Sequence, residues 1–389
     1  MTVGQDTNGT PLPECWRAAI AEGVTKLLDG ELNGRRATAT MLAGVLIYAA
    51  TTRTSLHAAS ASLAVADDNT LRDHLNRLAS GGNVEELVKG INAELLAALP
   101  AGMLSKRQEV SIDLHDMPYY GKHADMAKWV CRGEAKAGTT RFIRIATIHV
   151  LRPGPRVTLA MVLVKPGMSN AAVITGLVHP VRMARVRLSR LWLDRGFASV
   201  DVVQRLQDLR LSAVIAWPIR GKTGGTRALC KGTKTHQITH ILGRDSGRFV
   251  PVQMAVVRGF TCRRDGTRKA RWFLYAIVGR SLDPASAHRL YRFRFGIEAS
   301  YRALNRHRPR TSSRNIAVRV LLIAITLFII NAWTRAAALI PRRKPRLRAR
   351  ARPLRLQRFA DVLRHATETL LGFRDLSEIP LAGHPAGNY

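Results

Sequence analysis

The stretch Glu109-Val-Ser-Ile-Asp-Leu114 (EVSIDL) decides the fold. Upstream of it the apolar residues recur with a helical period. Here the period becomes that of a strand, and an acid, Asp113, sits near its end. Met117-Pro118 stops this strand. Phe142–Leu151 reads as a second strand, Arg152-Pro-Gly-Pro155 as a turn, and Val157–Val164 as a third strand. Ser169–Ala184 reads as a helix. Leu188–Leu193 is a short strand that ends in Asp194-Arg-Gly196. A helix at Val200–Leu209 and a strand at Ser212–Trp217 complete the series. Three strands, helix, strand, helix, strand predicts an α/β domain in which antiparallel strands are followed by parallel ones.

That order is the order of the ribonuclease H-like fold. Working outward, residues 220–235 (RGKTGGTRALCKGTKT) form a Gly- and Lys-rich loop, and 236–280 alternate again. They predict an antiparallel β subdomain inserted at about 220–282. From Asp283-Pro284 the chain reads as helix over Pro284–His307 and again over Asn315–Ala338. Val320–Trp333 (VLLIAITLFIINAW) is strongly apolar, falls short of the ~20 residues a membrane span requires, and is bracketed by Arg319 and Asn331. It is expected to be a buried helix, with no membrane partner. On the other side, residues 1–13 read as a tail. Helices are expected at Cys15–Leu28, Ala37–Ala50, Ser55–Leu63, Thr70–Ala79 and Val84–Leu99, giving an all-α N-terminal domain. The third and fourth, joined by Ala64-Val-Ala-Asp-Asp68, have the proportions of a helix-turn-helix. The second of the pair would present Arg72, His74, Asn76 and Arg77 to base edges or phosphates. A plain helical bundle or a protein-contact domain is the alternative. Three consecutive domains follow: 1–100, 101–310 and 311–389.

Charge is distributed unevenly. The 389 residues carry a formal net charge of +34. Residues 1–100 hold 8 Lys/Arg against 11 Asp/Glu (8 − 11 = −3), so the remainder holds 53 against 16 (53 − 16 = +37). A field of that sign fits a polyanion, most simply nucleic acid. Residues 335–358 alone carry 10 Lys/Arg and no acid, and read as a sequence-independent DNA clamp or as a solvated tail. Four widely spaced cysteines (Cys15, Cys131, Cys230, Cys262) make no Cys-x-x-Cys pair, so neither a zinc site nor a disulfide framework is expected. No secretory pattern opens the chain, and a cytoplasmic protein is expected.

In so basic a chain a few placed acids are informative. Asp113 and Asp194 belong to strands that this topology makes neighbours. The third candidate lies in Leu290-Tyr-Arg-Phe-Arg-Phe-Gly-Ile-Glu-Ala-Ser-Tyr-Arg-Ala-Leu-Asn-Arg306. As one helix this stretch sets Tyr291, Arg294, Glu298 and Arg302 on a single face. Such a face supplies cations and a hydroxyl for phosphate oxygens and a carboxylate for a metal. The bland alternative is an amphipathic helix with ordinary surface pairs. Asp113, Asp194 and Glu298 together would hold two Mg²⁺, or Mn²⁺, for an in-line phosphodiester displacement. Taken singly, Asp113 and Asp194 read as turn residues. Asp116 reads as a turn residue too, or else as an alternative ligand, and His115 as packing. Lys122, His123 and Lys128 read as backbone contacts or solvated cations.

Asp113 in Ile-Asp-Leu-His-Asp-Met-Pro-Tyr-Tyr-Gly, Asp194 in Leu-Asp-Arg-Gly-Phe, and Tyr291-x2-Arg294-x3-Glu298 resemble the DDE transposases of bacterial and archaeal insertion sequences. The nearest branch has the signature Tyr-x2-Arg-x3-Glu-x6-Lys and a β-strand insertion before the Glu. The likeness covers roughly residues 105–310. It departs at the Lys, where this chain has Asn305, with Arg302 and Arg306 nearby. The resemblance implies a metal-dependent enzyme of cut-and-paste DNA transposition that nicks a transposon end and transfers the freed 3′-hydroxyl. It implies double-stranded DNA partners (inverted-repeat ends and target), a homodimer in the synaptic complex, and a nucleoid-associated place in a bacterial or archaeal cytoplasm. It assigns backbone contacts to Tyr291 and Arg294, and offers Trp272 as an aromatic that stacks near a flipped base, with a core Trp as the alternative. A catalytically inactive, transposase-derived DNA-binding protein is the alternative that Asn305 supports.

Overall fold

The computed structural model describes residues 12–28, 33–34, 37–63, 65, 68–81, 84–121, 126–151, 157–262, 266–339 and 354–373. Helices α1 (Leu12–Leu27), α2 (Ala39–Thr52), α3 (Leu56–Ser62), α4 (Asp68–Gly81), α5 (Val84–Ala97) and α6 (Ala101–Leu104) come first. A two-residue strand pair, β1 (Asn33–Gly34) and β2 (Ala37–Thr38), precedes α2 and is the exception to an all-α start. Then follow β3 (Gln108–Pro118), β4 (Val130–Lys136), β5 (Thr139–Val150), β6 (Thr158–Leu163), α7 (Asn170–Met183), β7 (Leu188–Leu193), α8 (Val200–Asp208) and β8 (Ala213–Trp217). The chain continues through β9 (His236–Leu242), β10 (Val250–Cys262), β11 (Arg268–Val278), α9 (Pro284–Tyr291), α10 (Gly296–His307), α11 (Ile316–Leu339) and α12 (Leu356–Leu371).

Two units result, Met1–Ile91 with Ala303–Tyr389, and Asn92–Arg302. The first therefore joins N-terminal and C-terminal helices that the sequence suggests are separate. The cause lies in α2 and α11. Neither has a polar face, and a helix apolar all round must be enclosed. In α2 every residue from Leu42 to Thr51 is buried. Amphipathic α1 and α12 pack against both. Gly44 lets α2 approach α12 closely, since a Cβ there would meet Leu371 Cδ1 at 2.6 Å. Helix α11 lies within one residue of the Asn315–Ala338 that the sequence suggests. It is long and apolar enough to cross a bilayer, yet 89% of its most apolar window is buried inside the protein. In the expected helix-turn-helix region α3 and α4 form and pack together. The side chain of Arg77, part of the joining segment, Lys122, His123 and most of the Arg-rich run (340–353) lie outside the described residues.

The second unit is built on one mixed sheet in the order β4-β5-β3-β7-β8-β11-β10-β9, with β6 also on β5. Strand β3 runs antiparallel to β5 and parallel to β7, and β7 runs parallel to β8. The inserted strands do not stand apart. β11 pairs antiparallel with β8, from Ala213↔Val278 to Trp217↔Leu274, and so continues the same sheet. Strand β4 is absent from the sequence reading because its outer half, from Arg132, is polar and mostly exposed. Alternation along the central strands gives each face its own core. Val110, Ile112, Leu191 and Leu193 join the cluster that α7 and α8 cover. Trp192, Val214 and Ala216 join Tyr275, Ala287 and Tyr291 on the opposite face.

Outer strand β6 is tied to a helix residue. Buried Asn92 of α5 accepts from the Met161 N–H at 2.8 Å and donates to its carbonyl at 2.9 Å. One amide thus stands in for a neighbouring strand, satisfying both peptide groups of a residue with no exposed surface. Asn92→Ala strands both groups, each at a cost of about 1–3 kcal/mol. Its urea-unfolding midpoint is expected to drop, with the slope unchanged. A midpoint equal to wild type would show that the pair contributes nothing.

Candidate active site

Parallel pairing of β3 and β7 puts Ser111 beside Trp192 and Ile112 beside Leu193. Ser111 Oγ also donates to the Trp192 carbonyl at 2.9 Å. Two residues beyond Ser111, Asp113 shares its face. Asp194 immediately follows β7 and caps the 3₁₀ turn Arg195–Phe197, its Oδ1 accepting from the Gly196 N–H at 2.9 Å. Asn170 Nδ2 donates to the Gly196 carbonyl at 2.7 Å and holds that turn. The turn role and the site role of Asp194 thus coexist. One oxygen shapes the loop and the other faces across to Arg294.

The helix expected over Pro284–His307 is three pieces. α9 ends at Tyr291, a 3₁₀ turn covers Arg292–Phe295, and α10 restarts at Gly296. Glycine lowers helix stability at the junction, and the tighter 3₁₀ turn breaks the single face that a continuous helix would have made. Tyr291 and Arg294 turn inward, at 7% and 8% exposure, while Glu298 and Arg302 stay exposed. Arg294 Nη2 lies 3.3 Å from Asp113 Oδ1 and 3.4 Å from Asp194 Oδ2. Tyr291 packs on Trp192 and Tyr275, and its hydroxyl donates to the Leu193 carbonyl at 3.3 Å. Burial pushes its phenol up to about 12. It supports the strand end rather than offering a hydroxyl to solvent.

Charge is crowded here. Burial raises the Asp113 carboxyl from 3.8 to about 6, against the pull of Arg294 and with further pushes from Asp194 and Glu298. Two carboxylate oxygens within 3.4 Å of one nitrogen are separated by at most twice that distance. Paired carboxylate oxygens are the ligands a divalent ion takes, and such an ion would offset the cost of ionising Asp113, which comes chiefly from burial and secondarily from Asp194 and Glu298. The fit extends to two carboxylates. Among the described residues no group of three or more His, Cys, Asp or Glu is arranged to hold a metal. Glu298, in the first turn of α10, acts on Asp113 through its charge.

The remaining candidates are scattered. Asp116 is no turn residue. Strand β3 runs past it, and it points to the face opposite Asp113, where Arg144 grips it at 2.6 and 2.9 Å. Arg302, Asn305 and Arg306 are exposed on α10. Trp272, on β11, is half-buried against the sheet core, with the Arg258 guanidinium 5.9 Å from its ring. Arg72 is exposed on α4 and donates to Asn69 at 2.5 Å. Lys128 lies over the Trp129 ring at 5.3 Å. Sequence reasoning passed over Tyr301. Its hydroxyl donates to the Asp113 carbonyl at 2.8 Å and lies 2.6 Å from Thr147 Oγ1. The signal was a tyrosine three residues beyond Glu298, facing a strand that carries Thr147 and His149 on one side.

These features define a mixed-sheet protein with acids at adjacent strand ends. Residues 104–332 match the Transposase DDE domain, and the chain belongs to that family. No curated protein sequence matches the chain. Among solved structures it is similar to a piggyBac transposase synaptic complex with hairpin DNA, determined by cryo-EM. Sequence identity is 11% and the TM-score 0.58, over 92% of this chain and 80% of that one.

Because the folded-state pKa of Asp113 is raised, its contribution to stability is fully present below the unfolded value. It is lost as pH rises from about 4 to about 6. In metal-free buffer Asp113→Asn is expected to be more stable than wild type at pH 7, by about 2–3 kcal/mol at most, and the difference should fade toward pH 4. Urea titrations across that range measure it. Parallel curves for the two proteins would contradict the crowding.

Proposed function

We propose that the protein is a DDE transposase that cuts and joins DNA at the ends of an insertion sequence. The observation that carries this reading is the meeting of Asp113 and Asp194 at neighbouring strand ends around Arg294, in a chain of the Transposase DDE domain family. The strand order β6-β5-β3-β7-β8, with antiparallel and then parallel pairs, supports a ribonuclease H-like core. Tyr291, Arg294 and Glu298 support the Tyr-x2-Arg-x3-Glu branch.

In this mechanism Asp113 and Asp194 would hold Mg²⁺, or Mn²⁺, and Glu298, whose charge already reaches Asp113, would be the third carboxylate from α10. When bound, the metal supplies Lewis-acid stabilisation for phosphodiester displacement. Arg294 then has a second task. Its buried guanidinium, which lies against both aspartates, would be placed to pair with a phosphate oxygen as well. Tyr291 fixes the Leu193 carbonyl and so the start of the Asp194 loop. Exposed Arg302 and Arg306 provide backbone contacts where the branch signature has Lys, and Asn305 is no obstacle to them. The partners are inverted-repeat ends and target DNA, engaged by a homodimer in the cytoplasm of a bacterial or archaeal cell.

Supercoiled plasmid carrying candidate ends, incubated with Mg²⁺, tests this. Wild type is expected to nick at the ends. Asp194→Ala and Glu298→Ala are each expected to fall at least about 100-fold in rate while still retarding the DNA on a gel. Nicking at wild-type rate by both variants would sink the metal-carboxylate reading. DNA binding by wild type without any cleavage would sink the enzymatic one.

A further inference from the structure

A buried hydroxyl chain runs behind Asp113. Tyr301 Oη contacts the Asp113 carbonyl at 2.8 Å and Thr147 Oγ1 at 2.6 Å. Thr147 Oγ1 contacts His149 Nε2 at 2.6 Å, and His149 Nδ1 lies 3.1 Å from Thr158 Oγ1. Counting protons orients the chain. A carbonyl only accepts, so Tyr301 spends its single proton on Asp113. Thr147 must then donate to Tyr301, and His149 Nε2–H must donate to Thr147. In the neutral ring, Nδ1 accepts from Thr158. All four side chains are buried, so each link is made in a medium where an unmade bond is costly. The Tyr301 ring is also clamped, stacked on His115 with centroids 4.6 Å apart and 11° between planes, and edge-on to His149.

We propose that Tyr301 is a positioning residue. Its hydroxyl, oriented by Thr147 and His149, fixes the Asp113 backbone and locks the helix that carries Glu298 against the strand that carries Asp113. Glu298 lies one turn before Tyr301 on α10, so this anchor sets the reach of the third carboxylate toward the other two. The proposal rests on the metal-site reading above. A partner of this kind acts on affinity for the metal, because outer hydrogen bonds that orient ligands are worth about 10–100-fold in metal binding.

The test is Mn²⁺ binding to the DNA-free protein, followed by electron paramagnetic resonance, with hydrogen–deuterium exchange of residues 111–118 and 298–302 in metal-free buffer. Tyr301→Phe keeps the ring and is expected to bind Mn²⁺ about 10–100-fold more weakly, with faster exchange in both segments. Thr147→Val should behave alike, and Thr147→Ser, which keeps the hydroxyl, should restore wild-type binding. Wild-type Mn²⁺ affinity in Tyr301→Phe, with only a lower unfolding temperature, would overturn the proposal. If wild type itself binds no Mn²⁺, the metal reading fails. Exchange then decides alone, with faster exchange supporting the hold on Asp113 and unchanged exchange overturning it.

Discussion

Parallel pairing of β3 with β7 is the constraint on which the site depends. Parallel neighbours end on the same edge of a sheet, so acids at the ends of both meet. The pairing is secured twice, by the ladder and by the Ser111 hydroxyl on the Trp192 carbonyl. Once the register is set, alternation alone determines that Asp113 faces the side where Tyr291 and Arg294 pack. A slip of one residue would exchange Asp113 for Ile112 and empty the site.

Arg294 is the electrostatic answer to that geometry. Two carboxylates driven together at half-buried positions need a cation, and the 3₁₀ turn brings one between them. The arrangement is only partly compensated, since Asp113 still ionises well above the usual range. A site held this way keeps unfavourable charge in the folded protein. Its stability is lower than an apolar substitute would give, which is a common cost of function.

Much of this was legible in the sequence. The series from EVSIDL to SAVIAW appeared at nearly the expected places because its apolar periods are long and clean. Strand β3 was read too short, since His115 and Asp116 interrupt its apolar pattern, and both are polar because they pack on Tyr301 and pair with Arg144. The three-part helix was read as one because periodicity does not separate a 3₁₀ turn from an α-turn over so few residues. Tyr291 and Arg294, read as DNA contacts, are both buried in the folded chain. The helical unit was divided in two because adjacency in sequence says nothing about α2 finding α11. What the alternation at 236–280 did not reveal was a partner, and only the register of β11 on β8 shows that the insertion prolongs the main sheet.

The amide of Asn92 has a consequence beyond the fold. Beside the stretch where β6 covers β5 the sheet ends, and an open ladder there is a template on which another chain can add a strand. Occupying the N–H and carbonyl of Met161 with a side chain removes the two groups a foreign strand would first engage. Such a guard keeps copies of the chain from associating edge to edge through this strand.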